Sequence, residues 1–377
     1  MVVNNPPMGW NSWNTFGPNI NEQLILETAD AMVEKGYRDA GYEYVVIDDA
    51  WMLRERQNGK LVVDPEKFPH GMKYVGDYIH SKGLKFGIYS AAGTLTCQGF
   101  PGSFGHEYED ARQFAEWGVD YLKYDLCHYP GCGDIKNSYL TMSMALRATG
   151  RDIVFSGCTV GQEEPHTWMR SVGAHLYRST GDINDNLQSI RGNAMSQLRK
   201  LYSSAPGCYN DIDMLVVGMH GKGHVSYTNG CTDREYFLHF AMWCLWSAPL
   251  MIGGDIRTMS DECRAILQNK ELIKIDQDPD CRPPYYEDRQ RYAADGRLGF
   301  IKLLSDGDFA IGYFNFSDNE DLMIPFYFDD YGIPSSTGAG LDITDILTGE
   351  HIGVKHDFFC PVVPMQDFRV YRAKIVL

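Results

Sequence analysis

The sequence predicts a (β/α)8 barrel, a ring of eight parallel strands surrounded by helices, followed by a C-terminal antiparallel β-sandwich domain. Two observations support this fold class. Residues 1–278 contain eight strand-like segments, seven of them followed by a clear helix-like segment, whereas residues 279–377 contain short strand-like segments separated by Gly, Asp, Asn and Ser turns. No glycine-rich dinucleotide-binding turn follows a strand, which argues against a doubly wound open sheet.

Short apolar runs define the eight barrel strands in chain order, each with the length of a buried parallel strand. We expect them at 8–13, 42–49, 84–90, 119–127, 152–156, 175–179, 214–217 and 249–252. Between these runs, apolar residues recur with the spacing of an amphipathic helix. We expect helices at 21–35, 72–81, 107–117, 138–148, 164–171, 186–201, 233–245 and 261–268.

The remaining residues predict a second domain without evident chemistry of its own. Alternating and apolar runs bounded by turn residues indicate strands at 297–304, 308–315, 321–327, 343–345 and 368–376. We therefore expect a catalytic barrel over 1–278 and a separate antiparallel β-domain over 279–377.

Composition excludes several classes of partner. The 377 residues carry a formal net charge of -16 and contain no basic run, so neither nucleic acid nor an anionic membrane is expected as a partner. No apolar stretch approaches the ~20 residues of a membrane span. The N-terminus lacks the features of a signal peptide, so we expect a cytoplasmic protein or a secreted one whose signal has been removed.

Metal and cofactor sites are not expected. The ten cysteines include no CxxC pair, and His220 and His224, although four residues apart, fall in a glycine-rich loop rather than on a helix. The ends of the expected strands, where the working groups of such barrels lie, instead carry acids, bases and aromatic residues. Random surface charge would not concentrate there, so these positions favour a catalytic site.

The fourth expected strand ends in Lys123 and Asp125, which point to the same side of an extended chain. A neighbouring ammonium favours the ionised form of a carboxylate, and an ionised carboxylate suits the nucleophile of a carbohydrate-cleaving enzyme. Taken alone, the stretch is more typical of a solvated strand end. Asp182, in the loop after the sixth strand, suits the proton donor. Asp185 is a local competitor that sequence alone does not separate from Asp182.

Eight motifs resemble the α-galactosidase/α-N-acetylgalactosaminidase family, glycoside hydrolase family 27, in the family's order and over nearly the whole expected barrel. They are Met8-Gly-Trp-Asn-Ser-Trp13, Ile47-Asp-Asp-Ala-Trp51, Gly87-Ile-Tyr-Ser90, Cys97, Phe100-Pro-Gly-Ser-Phe-Gly105, Tyr121-Leu-Lys-Tyr-Asp125, Arg178-Ser-Thr-Gly-Asp182 and Asn210-Asp-Ile-Asp-Met214. The β-rich tail also fits the family's second domain. The resemblance implies an exo-acting retaining α-galactosidase that needs no cofactor and acts on galactose-containing oligosaccharides or glycoconjugates. A homo-oligomer is a further expected option.

The resemblance also implies roles for individual residues. Asp125 is the expected nucleophile and Asp182 the acid/base, and Cys97 and Cys127 match a cysteine pair that bridges two loops beside the nucleophile. Reduced thiols are the alternative for that pair in a cytoplasmic protein. The expected substrate-binding residues match family positions around the sugar: Trp13, Asp48, Asp49, Tyr89, Cys97, Lys123, Cys127, Thr159, Arg178, Asp213 and Met214.

Three positions depart from the pattern of the family's galactosidases. Ala50 and Pro18 replace both cysteines of one family disulfide, so that loss is compensated. Thr159 replaces a glutamate that binds the 2-hydroxyl of galactose, which makes α-N-acetylgalactosaminidase activity the main alternative. Gln162 departs from the small apolar residue of those enzymes, so the match to them is partial. A non-catalytic carbohydrate-binding protein is a distant alternative, since both expected catalytic carboxylates are present.

Overall fold

A computed structural model describes residues 3–131, 133–286 and 295–377 and confirms the predicted fold class. The barrel strands are β1 Met8–Asn11, β2 Tyr44–Val46, β3 Lys85–Ala91, β4 Tyr121–Asp125, β5 Val154–Cys158, β6 Leu176–Arg178, β7 Tyr209–Asp211 and β8 Leu250–Ile252. All neighbouring pairs run parallel, and β8 pairs with β1. Leu215 completes the ring: its N–H donates to Met251 O, and its carbonyl accepts from the Gly253 N–H, each at 2.8 Å.

The seventh strand lies earlier in the chain than predicted. Residues 214–217 are apolar and buried, but only Leu215 forms a strand-like bridge. Asp213 has a φ of 83° and breaks the extended chain just before them. The strand is Tyr209–Asp211, and it does not form an apolar run because Asn210 and Asp211 are polar.

Nine helices occur in the described residues: α1 Trp13–Phe16, α2 Glu22–Glu34, α3 Gly71–Ser81, α4 Glu107–Glu116, α5 Ile135–Ala148, α6 Leu187–Gln197, α7 Asp233–Leu245, α8 Asp261–Leu267 and α9 Lys270–Asp276. The helix predicted at 164–171 is wrong: Pro165–Thr167 forms a single 3-10 turn, because Glu163 and Glu164 have positive φ angles. The sequence did not predict α1 or α9. None of the helices in the described ranges is long and apolar enough to cross a membrane.

The C-terminal region is antiparallel, as predicted. Its strands are β9 Tyr285–Tyr286, β10 Arg297–Leu303, β11 Phe309–Asn315, β12 Phe326–Tyr327, β13 Gly340–Asp345, β14 His351–Lys355, β15 Phe358–Phe359 and β16 Asp367–Val376. Six of them form one sheet in the order β14-β13-β16-β11-β10-β9, and β12 and β15 form a separate ribbon. The sequence missed β9, β14 and β15, which are short or carry exposed polar residues.

One face of the six-stranded sheet shares its hydrophobic core with the barrel, whereas the other face packs with the β12–β15 ribbon. The sheet lies against α7, where Phe237 meets Phe368 with ring centroids 5.2 Å apart. Gly312 of β11 makes this approach close, because a Cβ there would lie 2.5 Å from Leu245 Cδ2. The barrel and the sheet therefore share one continuous core.

Candidate active site

A small cavity opens at the carboxyl ends of the barrel strands. Its volume is about 200 Å³, below the ~300–1,000 Å³ typical of sites for larger ligands, so it suits a single sugar ring. Four strands contribute acids or bases to its lining directly or through the residues that follow them: β2, β4, β6 and β7. The lining residues are Trp13, Asn14, Asp48, Asp49, Tyr89, Cys97, Lys123, Asp125, Arg178, Asp182, Ile183, Asn184, Asp213, Met214, His224, Val225 and Tyr227.

Asp125 ends β4 and is buried at the base of this cavity. The Leu126 N–H donates to its Oδ1 at 2.9 Å, and the Tyr89 hydroxyl donates to its Oδ2 at 3.3 Å. Burial raises the pKa of Asp125, while Lys123 and the Leu126 N–H act against that rise. The spacing of Lys123 and Asp125 predicts only the effect of the ammonium, whereas burial has the larger effect on the pKa of Asp125.

Lys123 forms its ion pair with a different strand from the one expected. Its Nζ lies 2.8 Å from Asp48 Oδ2, which also accepts from Asn11 Nδ2 at 2.8 Å. Asp49, next to it, accepts the Ala50 N–H at 2.7 Å, and burial raises the pKa of Asp49 to about 6. The ends of β2 and β4 therefore present three carboxyl groups, those of Asp48, Asp49 and Asp125, and the Lys123 ammonium to the cavity.

The opposite wall is organised by Arg178 at the end of β6. Its Nη2 donates to Asp213 Oδ2 at 2.5 Å and to Asp182 Oδ1 at 3.0 Å. Asp213 is buried, which raises the pKa of its carboxyl to about 6 despite the guanidinium beside it. Asp182 differs sharply, because 76% of its side chain is exposed. The cavity thus holds a buried carboxylate on β4 and a solvent-exposed one on the facing loop.

Asp185, the competitor of Asp182, lies outside the cavity. It is fully buried, and its carboxylate accepts from the Tyr236 hydroxyl and the Gly221 N–H, each at 2.7 Å. Ser226 adds a third hydrogen bond at 3.2 Å. These contacts give Asp185 a structural role in holding the loop after β7.

Two predicted binding residues do not line the cavity. Thr159 is fully buried, and its hydroxyl donates to the carbonyl of Gln162 at 2.6 Å, so it presents no free polar group to a ligand. Cys127 stands behind Cys97, to which it is joined in a disulfide with Cα atoms 5.0 Å apart. Cys97 does face the cavity, and its sulfur lies 3.6 Å from Asp125 Oδ2.

The loop after β7 contributes a wall that was not predicted from the sequence. His224 packs edge-on against Trp13 with ring centroids 4.9 Å apart, and the exposed Tyr227 also lines the cavity. The glycine-rich motif around His224 was considered only as a metal site. Its position after a barrel strand was the available indication, and misplacing β7 obscured it.

The barrel and its acid-lined cavity define the chain as a glycoside hydrolase. A family model described as "Alpha galactosidase A" matches residues 5–278. "Alpha-galactosidase 2" of Arabidopsis thaliana is 49% identical over 285 residues, covering 74% of this chain and 69% of that protein. "Alpha-galactosidase A" of Cellvibrio japonicus is 42% identical over 332 residues, covering 84% and 78%.

Solved structures agree with these sequence matches. The crystal structure of α-galactosidase I from Mortierella vinacea superposes with a TM-score of 0.89 at 31% identity, covering 98% of this chain and 97% of that one. The chain therefore belongs to the α-galactosidase A family, glycoside hydrolase family 27.

Proposed function

We propose that this protein is a retaining exo-α-galactosidase that removes terminal α-linked galactose from oligosaccharides or glycoconjugates. One observation carries the proposal: a buried carboxylate, Asp125, and an exposed one, Asp182, line the same small cavity. The names of the relatives support galactose as the sugar. The size of the cavity supports action on a terminal residue, since it has room for one ring.

In the proposed mechanism, the ionised Asp125 carboxylate attacks the anomeric carbon as the glycosidic C–O bond breaks. Asp182 donates its proton to the departing oxygen, which leaves a galactosyl ester on Asp125. Asp182, now ionised, takes a proton from water, and the resulting hydroxide attacks the anomeric carbon and releases Asp125. The exposure of Asp182 suits this second step because water reaches it directly.

The surrounding residues suit recognition of the sugar hydroxyls. Asp48 and Lys123 form a rigid acceptor–donor pair. We assign to this pair the hydrogen bonding of the 4-hydroxyl of the sugar and of the hydroxyl next to it. Trp13 offers an apolar face for packing against the ring. Arg178 positions Asp182 through the 3.0 Å contact with its carboxylate. Asp49, Tyr89, Asp213 and Met214 complete the proposed binding set.

N-acetylgalactosamine remains the alternative sugar, because no residue from the end of β5 lines the described cavity. The buried hydroxyl of Thr159 is already engaged by Gln162, so it offers an acetamido group no hydrogen bond. We therefore expect kcat/KM for p-nitrophenyl α-galactoside to exceed that for the 2-acetamido analogue. A preference for the acetamido sugar would overturn the choice of substrate.

External azide separates the roles of the two carboxylates. In Asp125→Ala, azide should replace the nucleophile and yield galactosyl azide with inverted anomeric configuration. In Asp182→Ala, the p-nitrophenolate leaves without protonation, so azide should intercept the ester and yield galactosyl azide with retained configuration. Asp185→Asn is the matched control and should form no azide adduct. The absence of both adducts, or the opposite configurations, would refute the assignment.

A further inference from the structure

Three side chains with metal-binding atoms meet outside the active-site cavity. His220 Nε2 lies 3.3 Å from Asp233 Oδ1, and Cys263 Sγ lies 3.5 Å from His220 Nε2 and 3.3 Å from Asp233 Oδ1. Each residue comes from a different element: the loop after β7, the first residue of α7, and α8. None of the three has a place in the proposed glycosidase mechanism.

The separations match those within a tetrahedral zinc site. Zinc binds nitrogen and oxygen at ~2.0–2.2 Å and sulfur at ~2.3 Å, which places neighbouring ligand atoms of a tetrahedron ~3.3–3.6 Å apart. Each of the three contacts, taken separately, could be a hydrogen bond. Hydrogen bonding does not, however, require that a nitrogen, an oxygen and a sulfur atom lie at nearly equal distances from one another. A point at the centre of this triangle lies ~2 Å from each atom, close to zinc bond lengths.

The surroundings also suit an ion that enters from solvent. Cys263 is buried, whereas the side chains of His220 and Asp233 are 42% and 51% exposed. One side of the triangle is therefore open to a water molecule as fourth ligand. The backbone of His220 is fixed, because its N–H donates to the Tyr236 hydroxyl at 2.7 Å.

We propose that His220, Asp233 and Cys263 bind a zinc-class divalent cation that fastens the loop after β7 to α7 and α8. The nitrogen and sulfur ligands favour zinc over magnesium or calcium, and the thiol proton leaves to solvent when the sulfur binds. The same loop carries His224 and Tyr227 into the cavity. The sequence prediction of no metal site considered His220 with His224, whereas the fold joins His220 to residues from two other elements.

Cobalt is a spectroscopic probe for this site. The untagged 377-residue chain, freed of metal by chelator, is titrated with Co²⁺ under anaerobic conditions. We expect one equivalent to produce the intense visible bands of tetrahedral Co²⁺ and a near-ultraviolet thiolate-to-metal band, and one equivalent of Zn²⁺ to abolish both. Weak octahedral bands alone, or no stoichiometric change, would overturn the proposal.

Variants identify the ligands. Cys263→Ser should remove the thiolate band, and Asp233→Asn should retain that band while weakening Co²⁺ binding by more than about tenfold. Cys360→Ser, which changes a half-buried cysteine in the C-terminal region, is the matched control and should bind like the unchanged protein. Circular dichroism of the metal-free proteins checks that each variant is folded. If Cys263→Ser is unfolded, the Co²⁺ affinity of Asp233→Asn provides the test. A retained thiolate band in folded Cys263→Ser, or an unchanged Co²⁺ affinity in Asp233→Asn, would overturn the proposal. Hydrolysis of the galactoside is scored separately.

Discussion

Replacing Lys123 with methionine should destabilise the fold by an amount that depends on pH. The ammonium lies 2.8 Å from Asp48 Oδ2, and the two side chains are only 16% and 3% exposed. At an effective dielectric constant of ~20, such a pair gains roughly 6 kcal/mol of gross attraction, part of which offsets desolvation of the lysine. Removing one partner of a buried pair costs about 3–5 kcal/mol, and methionine keeps the apolar stem.

The dependence on pH follows from Asp125. Burial already raises its pKa in the folded protein, and Lys123 opposes that rise. Without the ammonium, the folded-state pKa moves further above the unfolded value, so ionised Asp125 penalises folding at high pH. The penalty fades as pH falls through the raised pKa. We therefore expect Lys123→Met to lose more stability at pH 8 than at pH 5, and the acid limb of kcat/KM to move to higher pH.

Urea denaturation followed by tryptophan fluorescence, with refolding checked, measures the first effect. Lys85→Met is the matched control, because Lys85 pairs with Glu43 at 2.5 Å while both side chains are about half exposed. That change should cost about 0–1 kcal/mol. Equal losses at pH 5 and pH 8, or a loss no larger than that of Lys85→Met, would refute the electrostatic reasoning.

Two further predictions concern the walls of the cavity. Gly17→Ala should raise KM and lower stability by about 1–3 kcal/mol, since Gly17 has a φ of 51° and a Cβ there would lie 2.6 Å from His224 Cγ. Gly59→Ala, with positive φ but open space, is its control, and an equal KM in both would contradict a role for His224 packing. Replacing Cys97 and Cys127 together with serine opens a loop of sequence separation 30 and should cost about 3–4 kcal/mol in urea denaturation; an unchanged midpoint would contradict this.

Local sequence patterns were sufficient to predict the barrel, because its strands and helices alternate and each has a distinct periodicity of apolar residues. Lys123 and Asp125 illustrate both the success and the limit of this reasoning. Their spacing along one strand placed both in the cavity, but the ion-pair partner of Lys123 comes from β2. Contacts between neighbouring strands depend on the register in which the strands pair, and the spacing of residues within one strand does not determine that register.

The misplaced seventh strand has a different cause. Apolar residues indicate that a segment is buried but not that it is extended, and residues 214–217 are buried without forming a ladder of β-sheet hydrogen bonds. The left-handed backbone of Asp213 decides where extended structure stops, and an aspartate carries no distinctive pattern for it. Thr159 shows a similar limit: a motif indicated its place in the chain, whereas the turn that ends at Gln162 determines where its hydroxyl points.

The core shared by the barrel and the β-sheet has an evolutionary consequence. Trp246, just after α7, meets Phe300 of the sheet with ring centroids 5.4 Å apart, and Phe237 of the same helix meets Phe368. A gene truncated after residue 278 would encode a barrel in which Phe237 and Trp246 are exposed to solvent, because Phe368 and Phe300 would be absent. Recombination between homologues should therefore succeed only when the helix face and the tail are inherited together, which makes the pair, rather than either part, the unit of exchange.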